Sequence, residues 1–188
     1  MDLVQRLKGI LLTPESEWPV IEHEPGTPGF LFPNYMVFLA AIPPVASFIG
    51  GSIIGVATPA GTVRVPLFIG LLGAVIAYVS SFVIVYAVAI IIDQLAPRFG
   101  GVKDFPSALK VTVYSFTPYW IAGILQLVVG LRFVAAVVAL FGIYLAWLGL
   151  PRLMRPKPDR AATYVAISVA CAIAITAAVM LLEAALIA

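Results

Sequence analysis

The sequence has almost none of the residues that build disulfide frameworks or metal clusters. It contains one cysteine, Cys171, and one histidine, His23, far apart along the chain. A disulfide needs two cysteines, and the common zinc sites need several Cys or His ligands. We therefore expect no disulfide, no bound metal and no cofactor, and we interpret Cys171 as a small packing residue.

Charged residues are also scarce. They make up 11% of the chain, hydrophobic residues make up 62%, and the mean hydropathy is +1.09. Soluble domains carry about 25% charged residues, so this composition excludes an ordinary soluble domain. The net charge of +2 is too small to indicate a nucleic-acid partner.

Catalytic motifs are missing as well. The chain has no HExxH motif, no pair of aspartates within an apolar segment, and no glycine-rich phosphate loop with its lysine. Gly50, Gly51 and Ser52 resemble the start of a serine nucleophile turn, but Ile53 follows where that turn has glycine. We therefore expect no catalytic residues, and the protein is predicted not to be an enzyme.

Long apolar segments dominate what is present. Five of them lie at about 30–54, 67–95, 107–130, 133–151 and 161–185. At about 1.5 Å per residue, each is long enough for a helix to cross a hydrocarbon core of about 30 Å. The sequence predicts an all-α polytopic membrane protein, with a cytoplasmic N-terminal segment over 1–29 and a bundle of five transmembrane helices over 30–188.

Basic residues divide unequally between the two sides of this five-span path. Short loops rich in Lys and Arg stay on the cytoplasmic side of a membrane. With the N-terminus in the cytoplasm, only Arg64 and Arg132 of the 11 basic residues lie outside. We therefore expect a cytoplasmic N-terminus and an external C-terminus. The cytoplasmic set is Arg6, Lys8, Arg98, Lys103, Lys110, Arg152, Arg155, Lys157 and Arg160.

The N-terminal segment has its own apolar pattern. Leucine, valine and isoleucine recur with helical spacing over positions 3–11, opposite Asp2, Arg6 and Lys8. This pattern predicts a short amphipathic helix on the membrane surface that ends before Thr13. Trp18 is interpreted as an anchor at the level of the lipid headgroups.

Two spans carry features that suggest how they pack. Pro43 and Pro44 lie in the middle of the first span, where they must break or kink the helix. Such a break lines a ligand site in some transporters, and elsewhere it only bends the helix. In the fifth span, alanine recurs at every fourth position from 162 to 178. This stripe allows close packing against a helix of the same bundle, which we favour, or against a second copy.

Two ionisable residues lie in apolar segments, beside the loop between the second and third spans. Asp93 and Lys110 are expected at a similar depth, where a charge is costly unless it is paired or hydrated. Three arrangements are open: Asp93 and Lys110 form a functional ion pair, they form a purely structural pair, or each side chain extends separately to the membrane–water interface. Tyr114 and Ser115 follow in the third span. Their hydroxyls either satisfy backbone groups loosened by Pro118 or line a polar cavity that faces Asp93.

These features together resemble the Yip family, whose members are named for interaction with Ypt/Rab GTPases. The resemblance is carried by PESEW at positions 14–18, by the central prolines of the first span, and by Lys110 with YSFTP at positions 114–118. It implies that acidic N-terminal residues and a lysine near the third span matter for function. The matching residues here are Glu15 or Glu17, and Lys110.

The resemblance also implies a location. Eukaryotic members act in vesicle trafficking at the Golgi and endoplasmic reticulum and carry a long cytosolic N-terminal region. This chain lacks that region, which argues against GTPase binding and makes it similar to short prokaryotic members. The implied location is a bacterial or archaeal cytoplasmic membrane.

We predict a non-enzymatic membrane protein with a membrane-organising or adaptor role. The expected partners are the lipid bilayer, further copies of the chain in a homo-oligomer, or another membrane protein. The alternative is a small-solute or ion permease or channel, with a site near Asp93 and Lys110. In either case, the candidate residues for a polar site are Glu15, Glu17, Asp93, Lys110, Tyr114 and Ser115.

Overall fold

The computed structural model describes residues 2–59 and 61–187, and most of them are helical. Four helices are long and apolar enough to cross a membrane: Pro28–Ile54, Leu67–Phe99, Phe133–Met154 and Ala161–Leu186. They correspond to the first, second, fourth and fifth predicted spans. The fold is therefore an all-α bundle as predicted, and it differs from the prediction in the third segment.

Two short helices precede the bundle. Helix α1, Leu3–Leu12, begins after Asp2, whose carboxylate accepts hydrogen bonds from the N–H groups of Val4 at 3.0 Å and Gln5 at 3.2 Å. Helix α2, Pro14–Glu22, begins with a proline, which is favoured there because the first position of a helix needs no N–H donor. We call α1 and α2 together the N-terminal hairpin.

Trp18 of the hairpin does not reach the lipid headgroups, so its predicted role as an anchor there is wrong. Its side chain is only 1% exposed. The indole lies against Gly149, where an added Cβ atom would come within 2.4 Å of the ring. Since burying a large aromatic side chain is strongly favourable, Trp18 fixes the hairpin to the bundle rather than to lipid.

The first long helix, α3, is irregular, as its prolines predict. It is interrupted at Ala40 and Ala41, just before Pro43 and Pro44. These prolines lack the N–H donors that would continue the helical ladder. The bend lies against Gly123, where a Cβ atom would come within 2.4 Å of Pro43. The α-helical parts of α3 are Pro28–Leu31, Val37–Leu39 and Ile42–Phe48, and the π-helical parts are Phe32–Met36 and Ile49–Ile54.

The third predicted span, 107–130, is not one continuous helix. Pro118 interrupts the backbone ladder after Phe116, and Gly123 begins a stretch of tighter turns. The segment nevertheless runs the length of the bundle. Its first turn contacts Gly26, and its end contacts Gly50 at the close of α3. The parts are α5, Phe105–Ser115, α6, Thr117–Ala122, and the 3₁₀ turns Gly123–Leu127 and Val129–Leu131.

Helix α4, Leu67–Leu95, packs along the last helix, α9, Ala161–Ile187. A 3₁₀ turn, Ala96–Phe99, extends α4. The contact uses large side chains, because the Tyr164 hydroxyl is buried and donates to the carbonyl oxygen of Ile92 at 2.6 Å. The alanine stripe of α9 is exposed instead, so our preference for packing within the bundle was wrong. Its members are Ala162, Ala166, Ala170, Ala174 and Ala178.

The remaining helices pack antiparallel to the third segment. Helix α7, Arg132–Ala139, packs on α6, and helix α8, Phe141–Met154, packs on α5. The two backbones come close at Gly142, where a Cβ atom would lie 2.4 Å from the Ser115 carbonyl oxygen. A glycine is required there because any larger side chain would push the helices apart.

The two ends of the bundle differ. One end, which we call the hairpin end, carries the N-terminal hairpin. There the Val102 N–H donates to the Met154 carbonyl at 2.9 Å, and the Lys157 N–H donates to the Phe99 carbonyl at 3.0 Å. These bonds join the loop before α5 to the connection between α8 and α9. At the far end, two short antiparallel strands, β1, Val56–Thr58, and β2, Gly61–Val63, link α3 to α4. The all-α prediction did not include this ribbon.

Candidate functional site

Lys110 lies in the second turn of α5 and is 4% exposed. Its ammonium group donates three hydrogen bonds, to the carbonyl oxygens of Ile21 at 3.1 Å, Glu22 at 2.8 Å and Glu24 at 3.1 Å. These oxygens belong to the end of α2 and the turn that follows, where a helix leaves carbonyl groups without intrahelical partners. The helix dipole also favours a cation at this position. Lys110 therefore fastens the hairpin to the bundle.

Arg6 holds the two parts of the hairpin together from inside. Its guanidinium forms salt bridges with Glu17 of α2 and with Glu24, although the Arg6 side chain is only 6% exposed. Gly9 makes room for this arrangement, because a Cβ atom there would collide with the Glu17 carboxylate. A buried arginine with two carboxylate partners has the charge compensation that burial demands.

Two tyrosine rings lie between the Arg6 guanidinium and the interior of the bundle. The Tyr114 ring centroid lies 5.8 Å from the Arg6 guanidinium carbon, within the range of a cation–π contact. The Tyr114 hydroxyl also donates to the Glu24 carboxylate at 3.4 Å. Tyr35 packs edge-on against Tyr114, with ring centroids 4.9 Å apart. We call Arg6, Glu17, Glu24, Lys110 and Tyr114 the ionic cluster.

Glu22 forms a second, more exposed connection from the hairpin. Its carboxylate accepts hydrogen bonds from Arg152 Nε at 3.0 Å and from an Arg155 Nη at 2.9 Å, at the end of α8. The hydrogen bond from Arg155, aided by the positive charges of both arginines, lowers the pKa of Glu22. Glu22 therefore remains ionised in the folded protein at mildly acidic pH.

The six predicted site residues do not form one site. Glu17, Lys110 and Tyr114 meet in the ionic cluster. Glu15 lies on the exposed side of α2, where its carboxylate accepts a hydrogen bond from Tyr144 at 3.4 Å. Ser115 lies deeper, and its buried hydroxyl has no hydrogen-bond partner in the described part of the chain.

Asp93 and Lys110 do not form an ion pair in the structure. Asp93 is 5% exposed and its Oδ1 atom has no hydrogen-bond partner among the described residues. It lies one residue from the carbonyl that binds Tyr164, on the α9 side of α4. Lys110 faces the hairpin instead, because three carbonyl oxygens there satisfy all of its N–H donors.

Arg6 and Glu24 belong to the cluster, although neither is among the predicted site residues. Arg6 was assigned to the polar side of α1. It lies four residues before Ile10, which is fully buried, so the two side chains share a helix face. That spacing could have identified Arg6 as an inward-facing charge. Glu24 follows α2 in a turn, and no periodicity predicts where such a side chain points.

The ionic cluster consists of charges that are paired within the protein. Its arginine and lysine meet carboxylates and carbonyl oxygens, so the charges largely compensate one another. The arrangement holds a surface hairpin on a membrane bundle through buried polar bonds.

Comparisons with known proteins agree with this architecture. The Yip1 domain matches residues 8–181 of the chain. The inner membrane protein YohC of Escherichia coli strain K12 is 27% identical over 160 residues, which cover 83% of this chain and 82% of the relative. YohC of Escherichia coli O6:H1, strain CFT073, matches to the same extent. No solved structure matches.

The family match confirms the resemblance to the Yip family. It spans most of the N-terminal hairpin and the first four long apolar segments, and it reaches well into α9. The matched region thus includes three of the four helices that are long and apolar enough to cross a membrane and most of the fourth. The chain is an integral membrane protein and belongs to the Yip1 domain family.

Proposed function

We propose that this protein is a non-enzymatic adaptor of a bacterial or archaeal cytoplasmic membrane, and that its N-terminal hairpin is the element that meets a partner. One observation carries the proposal. Glu17 and Lys110, two of the residues that the family resemblance singles out, belong to one cluster: Glu17 binds Arg6, Arg6 binds the Glu24 carboxylate, and the Glu24 backbone carbonyl accepts a hydrogen bond from Lys110. The names of the two relatives support the inner-membrane location.

The proposed topology has five crossings, with the N-terminus in the cytoplasm and the C-terminus outside. In support, the segment from α5 to Leu127 runs from the hairpin end to the far end, although it is broken into short helices. The strong excess of basic residues at the hairpin end favours that end as the cytoplasmic one.

The outer surface of the hairpin is suited to contact with lipid or protein. Val4 is 58% exposed and Leu12 is 75% exposed, whereas Ile10 on the inner face is fully buried. In the proposed arrangement α1 lies at the membrane surface, with these apolar side chains available to the headgroup region or to a membrane-protein partner. The ionic cluster sets the orientation of this surface.

Site-specific photocrosslinking in native membranes tests the adaptor role. A photoreactive residue replaces Leu12, in the wild-type background and with Lys110→Met. We expect a discrete crosslinked product that disappears with Lys110→Met, because the hairpin loses its attachment. A co-expressed copy with a different tag distinguishes a second copy of the chain from another membrane protein.

Lys103→Met is the matched control for that experiment. Lys103 lies at the same end of the bundle, but among the described residues its ammonium group bonds to the Gln94 side chain alone, at 3.2 Å. This variant should keep the crosslinked product. The adaptor proposal fails if no product forms in the wild type, or if Lys110→Met leaves it unchanged.

A second candidate function, a small-solute or ion permease, is favoured by Asp93. Its buried carboxylate has an oxygen without a hydrogen-bond partner in the described residues. Buried charges within a membrane often belong to transport pathways. In proteoliposomes, a permease would show solute or ion flux above that of empty vesicles, and Asp93→Asn would reduce it. Absence of flux would leave the adaptor role as the only candidate.

A further inference from the structure

A cavity of about 210 Å³ lies in the half of the bundle away from the ionic cluster. It opens between α3, α4, α6 and α9. Pro43 and Ser81 on its wall lie midway along their helices, and Glu183 lies near the end of α9. At about 30 Å³ per molecule, the volume corresponds to about seven waters. Ser47, Tyr119 and Gln126 also line an adjoining space of about 370 Å³, which extends toward α7.

Glu183 is the charged residue on this wall. It follows Arg160 by 23 residues, which places it about 35 Å further along α9, toward the far boundary of the hydrocarbon region. In the described part of the chain, no hydrogen bond or salt bridge reaches Glu183, and no Lys or Arg lines the cavity. A carboxylate facing an apolar bundle is costly unless a cation or water accompanies it.

The remaining lining residues offer oxygen atoms and aromatic rings. The Ser81 hydroxyl donates to the Ala77 carbonyl at 3.0 Å, so its lone pairs remain available to a donor in the cavity. Gln126 contributes a side-chain amide, and Tyr119 contributes an aromatic ring. Aromatic faces attract cations, and organic ammonium groups in particular. Divalent metal ions require a larger set of oxygen ligands than one carboxylate supplies.

We infer that the far half of the bundle contains a binding site for small organic ammonium cations, with Glu183 as counter-ion and Tyr119 as the aromatic wall. The site is separate from the ionic cluster and does not depend on the adaptor role. Its ligand enters from the side of the membrane opposite the N-terminal hairpin. Amines and quaternary ammonium compounds of a few non-hydrogen atoms are the class that fits.

Thermal unfolding of the purified full chain in detergent tests this site. Tetramethylammonium chloride is titrated against sodium chloride at equal ionic strength. Because a ligand that binds only the folded protein stabilises it, the unfolding midpoint of the wild type should rise to saturation with tetramethylammonium. Glu183→Gln should abolish this rise, and Glu183→Asp should require a higher concentration.

Two controls separate charge recognition from general effects. Asp159→Asn removes an exposed carboxylate at the opposite end and should respond as the wild type does. The neutral tert-butyl alcohol, similar in size to tetramethylammonium, should give no saturable rise. A response that persists in Glu183→Gln, an equal response to the alcohol, or no response in the wild type would overturn the proposal. If Glu183→Gln does not fold, the proposal is still tested by two results: the higher tetramethylammonium concentration that Glu183→Asp should require, and the absence of a saturable rise with tert-butyl alcohol.

Discussion

Lys110 is tolerated in the interior because its surroundings satisfy its full donor capacity. An ammonium group has three N–H donors, and each meets a carbonyl oxygen at the end of the N-terminal hairpin. Removing the ammonium group would leave these carbonyl oxygens without a donor. The free-energy cost of such unpaired buried acceptors exceeds the net contribution of the intact hydrogen bonds. Position 110 is therefore the residue at which hairpin attachment is most sensitive to substitution.

We predict that Lys110→Met lowers the free energy of unfolding by about 2 kcal/mol, because it removes charge-assisted hydrogen bonds while keeping the apolar stem. The measurement is the thermal midpoint in detergent, together with the rate at which protease cleaves the hairpin. Lys103→Met should change neither quantity appreciably. Equal effects of the two substitutions would contradict the role assigned to Lys110.

At the scale of elements, the hairpin is attached to the bundle at two places of different character. The arginine of the ionic cluster, Arg6, is buried, whereas Glu22 connects α2 to the more exposed arginines Arg152 and Arg155. Exposed ion pairs contribute little in water and are screened by salt. The attachment through Glu22 should therefore weaken more at high ionic strength than the attachment through Arg6.

Glu22 gives a pH prediction with a definite sign. Its pKa in the folded protein is below the ordinary value of 4.5. Its contribution to stability is therefore present above pH 4.5 and is lost as the pH falls through the lowered pKa. We expect Glu22→Gln to lower the unfolding midpoint at pH 7, and the difference from the wild type to shrink below pH 4.5. A difference that is constant between pH 7 and pH 3 would refute the prediction.

The packing of α5 on α8 depends on a close approach at one glycine. Gly142→Ala would place a Cβ atom 2.4 Å from the Ser115 carbonyl oxygen. Since backbone cannot move aside as a flexible side chain can, we expect a loss of about 1–3 kcal/mol in unfolding free energy. Gly130→Ala is the matched control, because nothing lies within 4 Å of the added atom. Denaturant titration of both variants makes the comparison, and equal midpoints would rule out the tight contact.

At the scale of the whole molecule, the proposed topology has five crossings. Four helices are long and apolar enough to be spans. The third segment, which contains α5 and α6, also extends from one end of the bundle to the other, but as several short helices. Irregular backbone is tolerated at membrane depth when neighbouring protein covers it. Trp120 and Thr117 of α6 are fully buried, in agreement with this condition.

Labelling of single cysteines tests the five-crossing topology. In a Cys171→Ala background, exposed positions are replaced by cysteine and treated with a membrane-impermeant maleimide on intact cells. We expect Arg64→Cys and Leu186→Cys to react, and Lys157→Cys to react only after lysis. Protection of Leu186→Cys in intact cells would mean an even number of crossings, with the third segment not traversing the membrane.

Several elements of the fold and part of the site could be predicted from the sequence. Apolar length identified the four long helices, and the prolines identified the break in α3. Composition contains no information about rotation around a helix axis. The packing of the alanine stripe of α9 was therefore predicted wrongly, and the partner of Lys110 was left open, since both depend on which helix face meets a neighbour. The bonds of Lys110 join positions 86 to 89 residues apart, beyond the range of any local pattern.

The sequence by itself determined the solvent of this protein, because apolar segments of this length and scarcity of charge are stable only in a bilayer. It also determined where the helical ladder must break, since proline lacks the donor. Only the tertiary structure decided which charges meet. Arg6, Glu17, Glu24 and Lys110 come together through the docking of a hairpin on a bundle, and the cost of leaving any of them unpaired then selects that arrangement.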